Sequence, residues 1–537
     1  MERASACIKG RLAVLFLIIV FLRVSAVWAA PASPEQARDV VENWLALDGS
    51  PLGARLGQQT KSVITYEHDG TSAYYVVYLI PEGFVIVPAD DMVEPIIGFL
   101  PKGEYDPSPE NPLGALVSVD MSGRISAVQE MERQVQGKGI KLDPADVYAL
   151  AKRKWEMLAR PSGRNEALET MKSGEPTISS IRVSPLVQSA WSQSTVYGGL
   201  ACYNYYTPPH AAGSASNYVC GCVATAMAQV MRFWQYPATG VGTGSYDIKI
   251  DGFPTPRNLR GGDGSGGAYN WASMPLTPGS GIAEQQRQAV GALTHDAGVS
   301  VNMEYTSSSS GADTLKVSTA FVSTFGYSSA RNAYSGNSGT SIPVADRNNM
   351  VNPNLDAGYP AIMGIRGSAG GHAIVCDGYG YNTATLYHHL NMGWGGYEDA
   401  WYNLPTVETV PYNFDVQTSI VYNVYITGSG EIISGRVAES SGRPVSGVTV
   451  TATGTGGPFT ATTNARGIYA LPKVLSDSAY SVSAVKKGYT FTPNPQPVTT
   501  GTSTSYTTTT GNRWGIDFVA EGGIRAIVPI YDLLLLN

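Results

Sequence analysis

The sequence predicts a multidomain α+β protein that closes with a small β-sandwich. Three observations predict it. The chain has 537 residues, too many for one ordinary domain. Charged residues make up 15% of it, while there are 60 glycines and 31 tyrosines, a balance that favours strands and loops over long solvent-facing helices. Helical periodicity occupies the first and middle parts and strand alternation dominates the end. Helices followed by strands argue for α+β rather than repeating βαβ units. The net charge of -7, with no clustered basic stretch, sets nucleic acid aside as a partner.

The first element is not part of the fold. Residues 1–29 place Arg3, Lys9 and Arg11 before the apolar run LAVLFLIIVFL and end in small residues. That is the pattern of a secretory signal cleaved after Ala29. The run is shorter than the roughly 20 residues a membrane-spanning helix needs. A secreted product is expected, in periplasm, at the cell surface or outside.

Residues 30–180 form the first mature segment. SPEQARDVVENWLAL reads as a helix with Ser33 as N-cap and Val40, Val41, Trp44 and Leu45 on its apolar stripe. AYYVVYLIPEGFVIVPADD reads as a hairpin turning at Pro81-Glu82-Gly83. A second helix runs through ALVSVDMSGRISAVQEMERQV, and the polar stretch after Arg160 reads as an exposed linker.

Residues 181–427 follow, with a helix over GIAEQQRQAVGALTHDAGVS and strands over GHAIVCDGYG and TLYHHLNMGW. Residues 431–520 alternate apolar and polar positions between turn signals, a β-sandwich pattern. Its Thr/Ser-rich run TTGTSTSYTTTT is expected as exposed strand and loop, and residues 521–537 as a short apolar tail.

Chemistry concentrates around NYVCGCVATAMAQVMRFWQYP. Val223, Met227, Val230, Met231 and Trp234 fall on one side of a helix, which places Cys222 in its first turn. Unpaired N–H groups and the helix dipole there favour a thiolate, so a lowered thiol pKa is expected. Cys220 sits in the preceding loop. Of the six histidines, His372 follows two glycines at the start of an alternating strand, 150 residues beyond Cys222. Asn391 lies nineteen residues after His372, ahead of a Gly-Trp-Gly-Gly turn, where an amide could hold an imidazole in one tautomer. Gln193, in SAWSQSTVYGG, could donate to a developing oxyanion.

The runs GCVATAMAQVM, GGHAIVCDG and NMGWGG, with AWSQSTVYGG and EGFVIVPADD, resemble the streptopain family of secreted papain-like cysteine peptidases over about three-quarters of the chain. The resemblance implies Cys222 as nucleophile, His372 as general base and acid, Gln193 as oxyanion donor and Asn391 as the group that orients the imidazole. It also implies substrate contacts from Trp394, Ser308, Ser309 and Gly371. Met392 departs from the family pattern, which has a second tryptophan there.

The implied protein is a cysteine endopeptidase made as a zymogen, with protein or peptide substrates and its own propeptide, residues 30–180, as intramolecular inhibitor. No metal or cofactor is called for. The last segment resembles carboxypeptidase-regulatory, immunoglobulin-like modules, which act as spacers or bind a surface, protein or glycan. Its deletion after about Gly430 should leave peptide hydrolysis intact. Cys202 and Cys220 flank a loop of seventeen residues and are favoured as a disulfide; the alternative is that Cys376, in a strand, pairs or stays buried. Two other classes compete. A non-catalytic secreted binding or adhesion protein would need one of Cys222, His372 or Gln193 replaced, and a transglutaminase-like acyl-transfer enzyme would ordinarily complete its triad with aspartate.

Overall fold

The computed structural model describes residues 29–138, 143, 146–160, 179–335, 342–367, 370–405 and 417–522. The expected signal segment, most of the linker and most of the apolar tail lie outside the described residues.

The first helix, Pro34–Leu47, begins where expected. Ser33 closes a capping box with Gln36, and Val40, Val41, Trp44 and Leu45 are buried, so local capping and burial agree. The hairpin pairs Thr71–Ile80 with Phe84–Pro88, Tyr78 opposite Phe84. A helix over Pro112–Lys138 follows. A further helix, Val147–Leu158, has no counterpart in the reading of the sequence. Asp146 caps it, and Trp155 and Leu158 bury its apolar side.

The α+β class is borne out, with the first two segments joined more closely than expected. Gly98–Leu100 pairs antiparallel with Ala400–Tyr402, Phe99 opposite Trp401. One sheet therefore runs from the strands of residues 59–100 through Ala400–Tyr402, Thr385–Asn391, Gly370–Asn382 and Ala361–Gly367 to Gln417–Tyr425 and Ser329–Tyr334. The expected strand TLYHHLNMGW ends at Asn391, where the backbone bends into the positive-φ glycines Gly393, Gly395 and Gly396.

The strand Gly370–Asn382 shows how both faces of this sheet are used. Ala373 and Val375 enter the core built around the helices Cys222–Trp234 and Glu284–Ser300. Ile374 and Cys376 enter a second core that also contains Phe84, Ile86, Leu113 and Leu116 of the first segment. The two-residue period of a strand thus gives one face to the cysteine helix and the other to the N-terminal segment.

Residues 431–522 form two four-stranded sheets around Ile433, Val450, Leu471, Val482 and Phe518. The Thr/Ser-rich run is strand end and loop as expected, exposed at Thr499, Thr502, Thr504, Tyr506 and Thr509, but three of its hydroxyl residues turn inward. Thr500, Ser503 and Thr510 are buried, the Ser503 backbone N–H donates to buried Glu431 at 2.8 Å, and Tyr506 N–H donates to Asn332 Oδ1 at 2.8 Å. Hydroxyls here satisfy a buried carboxylate and the seam with the central domain.

Candidate active site

Gly221 sets the entry to the cysteine helix. Its φ is 89°, and a Cβ there would lie 2.8 Å from the Ser310 carbonyl oxygen, so glycine alone meets both the backbone and the space. Cys222 then begins the helix, as expected. Its thiol does not have the lowered pKa that the position alone suggests. Burial pushes it up, outweighing the backbone N–H groups of Ala373, Val223 and Cys222 itself. Desolvation of the anion beats the helix-start field.

Cys222 and Ala373 share one core, so the histidine strand packs beside the cysteine helix. His372 itself bonds elsewhere, its Nε2 lying 3.0 Å from the carbonyl oxygen of Pro109 in the N-terminal segment. Burial lowers its pKa, with Pro109 and Glu110 pulling in the opposite direction. Two residues on, Asn111 Nδ2 donates to Glu398 at 2.6 Å. The loop ahead of the Pro112 helix therefore grips both His372 and the turn after Trp394. Thiol and imidazole both favour their neutral forms in this arrangement.

Gln193 is placed by its main chain, its carbonyl accepting the Cys220 N–H at 2.8 Å. Its side chain is 9% exposed. Ser308 and Ser309 are exposed on a loop tied by Thr306 N–H to the Ser309 carbonyl at 2.9 Å, one residue before the Ser310 carbonyl that abuts Gly221. Gly371 is exposed beside His372, and Trp394 is half-buried against the core containing Met392.

Two expectations fail. Asn391 does not meet His372. Its Oδ1 accepts from Gln229 Nε2 at 2.9 Å and from Gly393 N–H at 3.1 Å, and its Nδ2 donates to the Ser189 carbonyl at 2.9 Å. With both Oδ1 lone pairs engaged, that oxygen is spent on folding. Cys202 and Cys220 are not bonded to each other. The four cysteines among the described residues are free and buried, and the Cys220 sulfur lies 3.3 Å from Thr225 Oγ1. Burial raises the pKa of each of these two to about 12, so they pack as small apolar side chains.

A histidine–carboxylate pair exists on a different histidine. His389 Nδ1 lies 2.6 Å from Asp377 Oδ1, and Asp377 also accepts the Val187 N–H at 2.8 Å. That pair anchors the start of the central domain. Thr225 and Gln229 were missed as site-supporting residues, although two polar side chains inside an apolar helix were visible in GCVATAMAQVM. Among the described residues, no helix is long and apolar enough to cross a membrane.

Comparison with known proteins matches residues 191–402 to the Peptidase C10 family. Residues 29–118 match the Spi protease inhibitor family, and residues 432–512 the carboxypeptidase regulatory-like domain. Pro109 and Asn111, which grip the C10 domain, thus lie within the inhibitor-like prodomain.

The thiol protease/hemagglutinin PrtT of Porphyromonas gingivalis is 27% identical over 383 residues, 70% of this chain but 39% of that protein. The chain thus aligns with well under half of PrtT. Streptopain of Streptococcus pyogenes serotype M1 is 26% identical over 393 residues, 72% of this chain and 82% of streptopain. Among solved structures, a Prevotella intermedia prointerpain A fragment aligns with a TM-score of 0.45 at 23% identity, covering 68% of this chain and 99% of that one. Active interpain A from the same organism aligns at 0.37 and 28%, covering 45% and 95%.

Proposed function

We propose that this protein is an exported, latent cysteine endopeptidase. Cys222 is the nucleophile, His372 the general base and acid, and Gln193 with the Cys222 backbone N–H the oxyanion donors. The observation that carries this reading is the contact set at the start of the cysteine helix. Cys222 and Ala373 pack in one core, while His372, next to Ala373, is held by Pro109 of the inhibitor-like segment.

Release of Pro109 would free Nε2 and open the thiol to solvent. Each change favours the thiolate–imidazolium pair, since solvation stabilises both charges. The thiolate then attacks a peptide carbonyl, its oxyanion meeting preorganised N–H donors. His372 passes its proton to the leaving amine, and the acyl-enzyme is hydrolysed by a water that His372 deprotonates. Residues 30–180 act as intramolecular inhibitor, and protein or peptide chains are the substrates.

The test is hydrolysis of a peptide panel, with amine acceptors included, by the processed protein and its Cys222→Ala variant. Hydrolysis abolished in the variant is expected. Full activity of Cys222→Ala, or transfer to the amines in place of hydrolysis, overturns the reading.

A further inference from the structure

The cysteine helix carries three polar side chains on one face, Cys222, Thr225 and Gln229, at spacings of three and four residues. Gln229 is fully buried. A buried amide left without partners is costly, and this one has three. Its Oε1 accepts from Ser189 Oγ at 3.1 Å and from the Trp191 N–H at 3.3 Å. Its Nε2 donates to Asn391 Oδ1 at 2.9 Å.

Those partners belong to two segments that reach the candidate site. Residues 189–193 end at Gln193, and Thr225 Oγ1 adds a second tie by donating to the Ser192 carbonyl at 3.2 Å. Asn391 leads into the turn holding Trp394, where Gly395 N–H returns to the Trp191 carbonyl at 2.9 Å. The segments are also joined directly, through Asn391 Nδ2 and the Ser189 carbonyl at 2.9 Å. Gln229 sits where helix, oxyanion-donor segment and tryptophan turn meet, and it bonds to both of the other two.

We propose that Gln229 is a positioning residue whose buried amide fixes residues 189–193, and with them the Gln193 donor, against the cysteine helix. The proposal rests on the cysteine-peptidase reading of this domain. A residue that acts through an oxyanion donor supports the transition state more than bound substrate. Its loss therefore falls on kcat and leaves KM nearly unchanged. It should also vanish once Gln193 is gone, because residues in one network do not act additively.

The test uses processed protein with active sites counted by a thiol-directed epoxide, and kinetics expressed per titrated site. Gln229→Leu is expected to lower kcat about tenfold or more with KM within about twofold. In a Gln193→Ala background the same change should cost less than about twofold. Ser189→Ala, which removes one hydroxyl donor, should lose a few-fold in the same pattern, and it carries the test if Gln229→Leu does not fold. Unchanged kcat per site, or losses that multiply fully in the double variant, overturn the proposal. Wild-type protein that titrates with the epoxide and hydrolyses nothing would instead sink the peptidase reading.

Discussion

At the scale of single residues, Cys222 shows two effects in competition. Its place at a helix start favours negative charge, yet burial decides and raises the thiol pKa. His372 is pushed the opposite way, toward its neutral form. A thiol reacts as the thiolate, so the full chain should be a poor nucleophile. We expect iodoacetamide to label Cys222 at least about tenfold more slowly in the full chain than after removal of residues 30–180, read by peptide mass mapping. Equal rates would show that the prodomain does not suppress the thiol. For Gln193→Ala, a loss of roughly 10²-fold or more in kcat is expected from removal of one oxyanion donor, checked by steady-state kinetics on the processed protein.

At the scale of elements, the loop before the Pro112–Lys138 helix meets His372 and a titrating carboxyl, Glu398, of the central domain. Glu398 accepts from Asn111, and burial raises its pKa from the model-compound value of 4.5 to about 7. Asp106 and Asp399 also raise it, while the Asn111 bond and the Asp106 backbone lower it. Once the loop leaves and water returns, the carboxyl should move back toward its ordinary range. A group with a raised pKa in the clamped state strengthens the clamp as pH falls, fully so below about 4.5, and that gain is lost as pH rises through about 7. His372 works oppositely, since burial depresses its pKa and acid therefore opposes the buried, clamped state, although the Pro109 carbonyl by itself favours the charged ring. Full-length protein should therefore self-process faster at pH 8 than at pH 6, followed by gel and N-terminal sequencing. Glu398→Gln, which carries no titrating proton, should flatten that difference. An unaltered pH profile in the variant would remove Glu398 from the release step.

At the scale of the whole molecule, the C-terminal domain is fastened to the peptidase rather than tethered to it. Asn423 and Asn512 bond each other in a buried pair at 3.0 Å. Ser434 Oγ donates to Asp356 at 2.7 Å, and Trp514 packs edge-on against Tyr379. Deleting this domain would exchange these bonds for bonds to water, each a net loss of about 0.5–1.5 kcal/mol, and would expose apolar surface at the seam. Truncation after about Gly430 should lower the melting temperature by roughly 5–10 °C, given the few degrees per kcal/mol typical of domains this size. Peptide hydrolysis per titrated site should persist, because the seam lies on elements other than those bearing Cys222 and Gln193 and meets the His372 strand at Tyr379, seven residues along it. Calorimetry with active-site titration separates the two effects, and an unchanged melting temperature would show that the seam adds no stability.

Much of this was legible in the chain. Ser33 three residues before Gln36, the alternation around Pro81-Glu82-Gly83, and the apolar stripe after Cys222 each encode a local element through short-range capping, turn and burial rules. The motifs around Cys222, His372 and Gln193 likewise marked the segments that converge. What the chain could not show were contacts between distant segments, where desolvation and competition for hydrogen bonds set the outcome. Asn391 was read as a partner for His372, yet Gln229 and Ser189 take it. Cys202 and Cys220 were read as a disulfide, and they are buried thiols. The pairing of Phe99 with Trp401 has no local signal, because strand registers between remote segments depend on which faces must be buried together. The sequence by itself determined which residues are proposed to carry the chemistry. The tertiary structure decided their ionisation and their partners, since both depend on how much water the assembled fold excludes.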